Sequence, residues 1–503
     1  MVKRLLSLLV ALLINLSLFA GISVAAEEKV NSGVEAEEKI NSSVEAEKEI
    51  NPSVEAVKIE STGEDLGIKL IYPYLSGFKA AEQINDAIQR RNISLVGYIR
   101  EAEGYIKEIK KQQVLDGREI PTISAAMESY YDYNYSGDIL SIILNFYEYT
   151  GGAHGSYYLD SYNVNTRTNE IYGSFSSLFD SKSNYKTVIR EKINKLIDSE
   201  KEMYFEDAKK TVAAKNSDYK FYIDGNQLVI YFDLYELRPY AGGMPFFSIN
   251  AEELKGLLKS EVYTQMVKAK PLEAVRYNGT TLEPQFNTYT KDYTLMVPLV
   301  QVADKLGYKV TWDPKKGAGI AGGYVKSGLN SYYTDKSPTK TKLSTAPQIK
   351  DNRMFVPVDF FSGLLNEDVF YDGDVLRLFK VVSSDIHRMF KQQIIEYIYP
   401  KTAEAAVKMY AQAVKDRKGA IQYALYSGKL KAEKKHELET MNWVTGVSSP
   451  WVTGYTIKNK GNNKYDIVFN WATSAGKAPS STVNITVGKV KDMDYWEITA
   501  VKG

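Results

Sequence analysis

Three histidines and no cysteine limit the chemistry that this chain of 503 residues can perform. Imidazole nitrogens serve as general bases and as metal ligands, but His154, His387 and His436 lie far apart and none has a second histidine at motif or helical spacing. A chain without cysteine has no thiol nucleophile, thiolate zinc site or thiol redox chemistry. The sequence therefore predicts no catalytic residue set, no metal site and no cofactor.

His154 nevertheless lies in an unusual setting, the segment YEYTGGAHG from Tyr147 to Gly155. Three glycines in five residues indicate positive φ angles or a close approach to the backbone. One interpretation is a polar notch, formed by Gly151, Gly152 and His154, that contacts a partner. The alternative is a hairpin turn whose imidazole packs against a tyrosine such as Tyr147 or Tyr157. We favour the hairpin, because no base or nucleophile is paired with His154 in the sequence.

A tyrosine row and a second glycine-bearing loop complete the candidate binding residues. Alternation with period two places Tyr131, Tyr133 and Tyr135 on one face of a strand, where they either stack on a ligand or form a half-buried sheet face beside helices. Pro239 to Met244, which contains Tyr240 and Gly242, is either a second loop beside the first or a simple chain reversal. We favour the chain reversal. The candidate ligand-binding residues are Tyr131, Tyr133, Tyr135, Gly151, Gly152, His154, Tyr240 and Gly242.

The N-terminal residues MVKRLLSLLVALLINLSLFAGISVAA have the organisation of a secretory signal peptide. Lys3 and Arg4 precede the apolar stretch from Leu5 to Ala20, and Val24 to Ala26 resemble a cleavage site. About 20 apolar residues also span a bilayer, so an uncleaved anchor is the alternative. We expect residues 1–26 to be removed and the mature protein to be secreted, extracellular or wall-associated, with no membrane segment after cleavage.

Three ten-residue repeats follow the signal: EEKVNSGVEA, EEKINSSVEA and EKEINPSVEA, over residues 27–56. They are acidic, poor in large apolar residues and interrupted by Asn-Ser or Asn-Pro, which predicts a disordered linker. The net charge of the whole chain is only +1. That balance argues against a nucleic-acid partner, which a basic surface would have to attract.

The remaining chain divides into three predicted domains, and the overall class is α+β, multidomain, with antiparallel sheets and helices packed on one face. The first domain spans residues 57–267. Helical spacing from Phe78 to Lys111 and from Tyr185 to Ala214 encloses strand-like runs. Asp224-Gly225-Asn226 indicates a tight hairpin, and Asn250 to Lys259 is expected to be a helix.

The second predicted domain, residues 271–382, contains an internal duplication. LMVPLVQVADKLGYKVTWD, beginning at Leu295, aligns with MFVPVDFFSGLLNEDVFYD, beginning at Met354. Each copy has a strand, a proline at the entry of a helix, the helix and a second strand, which predicts two pseudo-symmetric β-α-β units. Asp313 and Asp372 occupy matching positions and are expected to be turn or cap residues, since the spacing of a calcium loop is absent.

The third predicted domain, residues 384–503, has helices first and strands afterwards. Helical stretches run from Ile386 to Leu425, and four strand-like runs lie between Trp451 and Val501. This order predicts a curved sheet wrapped around helices. Asp466, Trp471 and Trp496 either line a pocket or fill the core, and we favour the core.

These residues carry three resemblances. YEYTGGAHGSYYLDSYNVNTRTNEIYGSFSSLF together with YFDLYELRPYAGGMPFFSI resembles an extracellular domain of unknown function in secreted Gram-positive proteins. That domain occurs in some peptidoglycan deacetylases and in the anti-sigma factor that senses lysozyme. Residues 271–382, with RMFVPVDFF as a mark, are similar to the copper amine oxidase N-terminal domain. SSPWV and the order of elements make the last domain similar to nuclear-transport-factor-like cone folds.

The resemblance implies a function in the cell envelope, whereas the deacetylase catalytic domain, with its Asp/His/His metal site, has no counterpart in the sequence. We therefore expect a non-enzymatic envelope protein that binds peptidoglycan or another wall polymer, or a wall-directed protein such as lysozyme. The alternatives are an envelope hydrolase with a pocket in the last domain and a purely structural spacer or assembly protein.

Overall fold

The computed structural model describes residues 51–282, 286–334, 337–382, 386–446, 448–491 and 493–503. The predicted signal peptide and residues 27–50 of the repeats lie outside the described residues. Helices account for 30% and strands for 37% of the structure, in several mostly antiparallel sheets, which confirms the predicted multidomain α+β class. Among the described residues, no helix combines the length and the apolar character needed to cross a membrane.

The first region is built on a five-stranded sheet in which the strands lie side by side in chain order. All pairs are antiparallel except the second and third strands, which are parallel because a helix of 35 residues connects them across the sheet. The elements are β1 (Ser53–Thr62), β2 (Leu66–Ser76), α1 (Ala81–Leu115), β3 (Ala125–Ser136), β4 (Ile139–Tyr149) and β5 (Ser156–Asn165).

Strand β1 corrects the predicted extent of the disordered linker. It begins at Ser53, inside the third repeat, and pairs with β2 over ten residues. Ala56 and Val57 are buried, and the Ala56 carbonyl oxygen accepts a hydrogen bond from the Val382 amide. The last four residues of the repeat are therefore part of the sheet, because they continue directly into the apolar run of this edge strand.

Helix α1 covers one face of the sheet because its apolar side chains recur at helical spacing. Ile84, Ile88, Ile99 and Ile106 form that buried stripe. The opposite side of α1 is also covered: a Cβ atom on Gly97 would lie 2.8 Å from the Tyr399 ring, so the third region approaches the helix backbone closely. One continuous apolar core consequently extends from the first region into the third.

A second layer covers the other face of β3, β4 and β5. It contains a three-stranded antiparallel sheet with its own helices and its own apolar core. The predicted long helix from Tyr185 to Ala214 is interrupted after Ser199, and the predicted helix from Asn250 is a single turn capped by the Asn250 side chain. The elements are α2 (Tyr185–Ser199), α3 (Ala208–Ala214), β6 (Lys220–Asp224), β7 (Gln227–Tyr231), β8 (Phe246–Asn250) and α4 (Ser260–Met266).

The second region has three small sheets. Its elements are β9 (Val275–Tyr277), β10 (Thr280–Thr281), β11 (Tyr289–Lys291), β12 (Thr294–Pro298), α5 (Leu299–Leu306), β13 (Thr311–Asp313), β14 (Gly317–Ile320), β15 (Gly323–Val325), β16 (Ser331–Thr334), β17 (Ser337–Lys342), β18 (Gln348–Lys350), β19 (Arg353–Pro357), β20 (Asp368–Tyr371) and β21 (Leu376–Phe379).

The internal duplication is visible at the centre of this region. Strands β12 and β19 pair antiparallel, and Val297 lies opposite Val356, the residue with which it aligns in the sequence. The prediction of two β-α-β units is wrong, however. The strand that precedes each helical segment and the strand that follows it belong to different sheets, and the second helical segment is only a five-residue π-helical turn, Phe360–Leu364.

The third region places helices against one face of an antiparallel four-stranded sheet. Helix α9 was not predicted, because its sequence is highly charged and only Leu430 and Leu438 are buried, so it has no apolar stripe. The elements are α6 (Arg388–Ile394), α7 (Ala403–Lys415), α8 (Gly419–Leu425), α9 (Gly428–Thr440), β22 (Trp451–Gly461), β23 (Lys464–Thr473), β24 (Gly476–Lys489) and β25 (Trp496–Lys502).

Candidate binding site

The glycine turn from Gly151 to Gly155 connects β4 to β5. Tyr147 lies opposite Tyr157 in this pair of strands. Gly151 has a φ of 86°, a left-handed conformation that glycine adopts without steric cost. A Cβ on Gly151 would be 3.5 Å from Ile106, so the turn rests on the C-terminal half of α1.

Gly155 is required for a different reason, a close approach to an aromatic ring. A Cβ at this position would lie 2.2 Å from the Tyr147 ring, far inside van der Waals contact. The tyrosine ring therefore lies directly against the Gly155 backbone. The ring of Tyr157 is 5.1 Å from that of Tyr147, measured between centroids.

A second loop, between β7 and β8, reaches the same place. Arg238 holds this loop by donating to the carbonyl oxygens of Gly243 and Met244. A Cβ on Gly242 would be 2.9 Å from the Arg238 side chain, which explains the small residue there. The Tyr240 hydroxyl donates to the Gly155 carbonyl oxygen at 2.9 Å. The loop reverses the chain, as we favoured, but it also lies beside the first loop.

The two loops and the adjoining strands form a cluster of five rings, which we call the aromatic surface: Tyr147, His154, Tyr157, Tyr235 and Tyr240. The ring centroids of His154 and Tyr240 are 4.1 Å apart, and Tyr240 is also 5.8 Å from Tyr235 and 6.4 Å from Tyr157. Tyr157 is 50% exposed and Tyr235 54% exposed. Two large tyrosine rings are thus available to a ligand beside the exposed His154, while the half-buried Tyr147 and Tyr240 support them.

His154 has a supporting position in this cluster. Its Nδ1 lies 2.9 Å from the Gly155 carbonyl oxygen. A carbonyl oxygen only accepts, so Nδ1 carries the proton. Its Nε2 lies 3.4 Å from the Tyr235 hydroxyl. The imidazole therefore packs against a tyrosine as the hairpin interpretation requires, although the tyrosine is Tyr240 rather than Tyr147 or Tyr157.

Two tyrosines of the aromatic surface, Tyr147 and Tyr240, are stabilised in their neutral form. Partial burial, and next the neighbouring Tyr157, raise the pKa of the Tyr240 hydroxyl. Burial and Tyr157 likewise raise the pKa of Tyr147. Both hydroxyls keep their protons and can donate hydrogen bonds. The chemistry available here is stacking and hydrogen bonding.

The tyrosine row of β3 does not belong to this surface. Tyr131 is completely buried and contacts Phe379, while Tyr133 and Tyr135 are only partly exposed. The row faces the α1 side of the sheet, whereas Tyr147 faces the other side. Tyr135, at the far end of the row, pairs with Leu140, which is seven strand residues or roughly 23 Å from Tyr147. An exposed row of three rings was thus the wrong expectation for Tyr131, and the half-buried sheet face is correct.

The structure therefore brings together Gly151, Gly152, His154, Tyr240 and Gly242 and leaves the tyrosine row elsewhere. It adds Tyr157 and Tyr235, the two exposed tyrosines of the cluster. Neither tyrosine is among the ligand-binding residues predicted from the sequence. Their position in the sequence could have indicated them, since Tyr157 follows the glycine turn by two residues and Tyr235 lies five residues before Tyr240.

The other candidate positions have structural contacts. Asp313 Oδ1 accepts the amides of Lys315 and Lys316, and Asp372 Oδ1 accepts those of Asp374 and Val375, so both are confirmed as turn residues. In the third region, the partly buried Trp471 and Trp496 pack against the apolar core. Asp466 accepts from Asn484.

Potential metal ligands are not clustered in the part of the chain that the structure describes. Within the described residues, no three His, Cys, Asp or Glu side chains are grouped so that they could hold a metal ion. His387 accepts a hydrogen bond from the Trp443 ring at 3.2 Å, and His436 is exposed on α9.

Three segments match known families. Residues 59–157 match the Deacetylase PdaC family, residues 176–252 match a protein family of unknown function, DUF3298, and residues 276–378 match the copper amine oxidase N-terminal domain. No curated protein matches the chain. The aromatic surface takes His154 and Tyr157 from the first matched segment and Tyr235 and Tyr240 from the second.

Two solved structures of DUF3298 proteins are similar to parts of this chain. The one from Bacteroides fragilis is 17% identical with a TM-score of 0.32, and it covers 43% of this chain and 97% of its own. The one from Pseudomonas aeruginosa PAO1 is 16% identical with a TM-score of 0.29, and it covers the same shares, 43% and 97%. The chain is thus similar to three families in three successive segments: PdaC, DUF3298 and the copper amine oxidase N-terminal domain.

Proposed function

We propose that this protein is a non-enzymatic, secreted cell-envelope protein that binds a wall glycan through the aromatic surface. The observation that carries the proposal is the exposure of Tyr157 and Tyr235 beside a loop pair that fixes the rings around them. Aromatic rings of this kind offer a flat apolar face and a polar hydroxyl. A sugar ring needs both, one for its C–H face and one for its hydroxyls.

The fixed geometry supports binding by a preformed surface. Tyr240 is held by the Gly155 carbonyl oxygen, and Arg238 holds the loop that carries Tyr240. A ligand that stacks on this surface does not have to order the loops first, which lowers the entropic cost of association. Neutral side chains at the surface fit a neutral polysaccharide face better than a strongly charged partner.

The proposed export, the location in the cell envelope and the role of the other two regions are supported by the sequence. The signal-like N-terminus supports export, and the resemblance of the first region supports a Gram-positive cell envelope. The order of helices and strands in the third region supports a nuclear-transport-factor-like cone that, with the second region, spaces or assembles the binding domain.

Co-sedimentation of the full chain with purified peptidoglycan tests the proposal. We expect saturable binding that falls about tenfold in Tyr157→Ser and in Tyr235→Ser, which corresponds to about 1.4 kcal/mol for each ring. Tyr293→Ser is the matched control, because Tyr293 is a fully exposed tyrosine in the second region. Equal binding by all four proteins, or no binding by the wild type, would refute the glycan proposal.

A parallel pull-down with lysozyme distinguishes a protein partner. A protein interface buries on the order of 1,600 Å² and depends on a few anchors, so a partner of this kind would depend on residues beyond the two rings. Lysozyme binding without peptidoglycan binding would replace the glycan by a wall-directed protein as the ligand.

A further inference from the structure

Strand β8 begins with an exposed phenylalanine close to the aromatic surface. Phe246 is 46% exposed, which is comparable to the two exposed tyrosines of that surface. It directly follows the β7–β8 loop, and the Phe232 amide donates to the Pro245 carbonyl oxygen at the point where this loop closes. The strand and the loop closure therefore fix the position of the Phe246 ring.

The pairing of β7 with β8 shows which way the Phe246 ring faces. Phe246 lies opposite Tyr231, so both side chains are on one face of the three-stranded sheet. Their ring centroids are 6.2 Å apart. The Tyr231 hydroxyl lies 3.4 Å from the Leu159 carbonyl oxygen and 3.1 Å from the Ser161 hydroxyl, both on β5. The face that carries Phe246 is therefore turned towards β5.

The three-stranded sheet crosses β5 in steps that lead towards Tyr157. Ser161 of β5 donates to the Phe221 carbonyl oxygen of β6, and β7 reaches β5 as far as Leu159. Strand β8 follows β7 in the sheet, at the ordinary strand spacing of about 4.8 Å. The two residues of β5 from Leu159 to Tyr157 correspond to roughly 6.6 Å. Phe246 therefore lies near the Tyr157 end of β5.

Met244 connects Phe246 to the aromatic surface. Its half-buried side chain packs against an apolar cluster that contains Leu159 and Tyr231, and Arg238 donates to its carbonyl oxygen. Strand β5 is the last strand of the five-stranded sheet, so that sheet has no further strand to cover the Phe246 ring. The aromatic surface, Met244 and Phe246 thus follow one another along the edge of the sheet.

We propose that Phe246 is a third stacking position of the glycan site, beside Tyr157 and Tyr235, and that the site takes an extended polysaccharide chain rather than a single sugar. This inference rests on the proposed function of the aromatic surface. A phenylalanine ring has no hydroxyl and offers only its apolar face, so the sugar that stacks on it must present its C–H face. A linear glycan presents successive sugar rings along its axis, as a row of stacking positions requires.

Titration of the full chain with β-1,4-linked N-acetylglucosamine oligomers, from the disaccharide upwards, tests this assignment. We expect the affinity of the wild type to increase with the length of the oligomer. Phe246→Ser should lower the affinity for the longer oligomers about tenfold and leave that for the disaccharide within about twofold. Tyr157→Ser should weaken the binding of every oligomer, because the ring that it removes contacts the shortest ligand as well.

Two further variants separate the loss of the ring from a loss of structure. Phe246→Tyr keeps an aromatic ring and should retain the increase of affinity with length. Phe205→Ser is the matched control, because Phe205 is also an exposed phenylalanine and its neighbour Tyr204 packs against Phe247, on the opposite face of β8. We expect Phe205→Ser to bind every oligomer as the wild type does.

The outcomes distinguish this assignment from the proposed function. Suppose that the wild type binds and that Tyr157→Ser weakens binding. A Phe246→Ser variant that binds long oligomers as tightly as the wild type, or that loses the disaccharide equally, would then overturn the third stacking position alone. Equal weakening in Phe205→Ser, or in Phe246→Tyr, would overturn it as well. A wild type that binds no oligomer would contradict the glycan proposal itself, and this assignment with it.

Discussion

At the scale of single residues, the aromatic surface depends on one position without a side chain. Gly155 allows the Tyr147 ring to lie on the backbone, and its carbonyl oxygen accepts from Tyr240 and from His154. The residue therefore connects the hairpin turn to the second loop. Gly152, three positions earlier, has no such neighbour, because a Cβ there would meet nothing within 4 Å.

Gly155→Ala should distort the aromatic surface, whereas Gly152→Ala should not. Forcing a methyl group into a packed site costs about 1–3 kcal/mol, and we expect that loss in the free energy of unfolding together with weaker glycan binding. Chemical denaturation of both variants is the measurement. Equal stability of the two variants would show that the Tyr147 ring is free to move away.

Glu148 is a buried carboxyl group beside the aromatic surface, on the α1 face of β4. Its Oε2 atom has no hydrogen-bond partner within the described residues. Burial raises the pKa of the Glu148 carboxyl to about 7, although Arg91 opposes the shift. The folded chain therefore keeps this proton between pH 4.5 and about 7, where the unfolded chain has released it.

It follows that Glu148 makes the folded state less stable as the pH rises through that window. The unfolded state binds fewer protons there, so the slope of the unfolding free energy with pH is negative. Glu148→Gln should remove this contribution and be more stable than the wild type at pH 8, by on the order of 1–3 kcal/mol. Denaturation at pH 4.5 and pH 8 checks this, and a difference between the two proteins that does not change with pH would contradict it.

At the scale of the elements, hairpin turns and amphipathic helices could be predicted, while pairings between distant segments could not. Asp224-Gly225-Asn226 does connect β6 to β7, and the apolar stripe of α1 lies where the spacing of Ile84, Ile88 and Ile99 indicated. Strands β1 and β2 were not predicted. Strand β1 lies at the edge of the sheet, and its Ala56 forms a β-bridge with Val381, far along the chain. Period and turn chemistry are local, but that contact is not.

The same distinction explains the second region. Sequence alignment correctly matched Val297 with Val356, because a duplication leaves a local pattern. It could not show that the strands around each helix join different sheets. For the candidate site, glycine and aromatic residues identified the loops, whereas the burial of Tyr131 depends on Gly279 and Phe379 of the second region.

One buried ion network holds the second region against the first. Arg377 donates to both carboxylate oxygens of Asp132, and Arg276 lies 2.6 Å from the same carboxylate. The Asp132 side chain is 5% exposed, whereas Asp372, which also contacts Arg377, is 40% exposed. Removal of one partner from a buried pair leaves an uncompensated charge.

Asp132→Asn should therefore destabilise the packing of the two regions by about 3–5 kcal/mol. Asp372→Asn should cost less than about 1 kcal/mol, because exposed ion pairs contribute little and asparagine can still accept the turn amides. Calorimetric unfolding measures both. A similar loss for the two variants would show that Asp132 is no more important than an exposed partner of Arg377.

At the scale of the whole molecule, the first region is the centre to which the other two are attached. The third region shares its apolar core through α1, and the second region covers the edge of β3, where the Gly279 carbonyl oxygen accepts from the Tyr133 amide. The first region expressed alone would expose both contact surfaces. Experiments on recognition consequently require the full chain.

The arrangement leaves the aromatic surface free while both attachment surfaces are covered. Tyr157 lies on the sheet face opposite the one that α1 and the third region cover, and Tyr235 lies in the β7–β8 loop beside it, near Tyr240. The attached regions can therefore position or space the binding region without closing the surface. The third region is thus attached on the opposite face from the aromatic surface, whereas the second region binds Asp132, which shares the face of Tyr147 but lies on the neighbouring strand β3.

Hydrogen exchange of the full chain, with and without solubilised peptidoglycan fragments, tests the central claim most directly. The account predicts slower exchange in two segments that are distant in sequence, 151–158 and 235–244, with the amides of β3 around Tyr131 to Tyr135 unchanged. Protection confined to the second or third region, or to the tyrosine row of β3, would contradict the assignment of recognition to the aromatic surface.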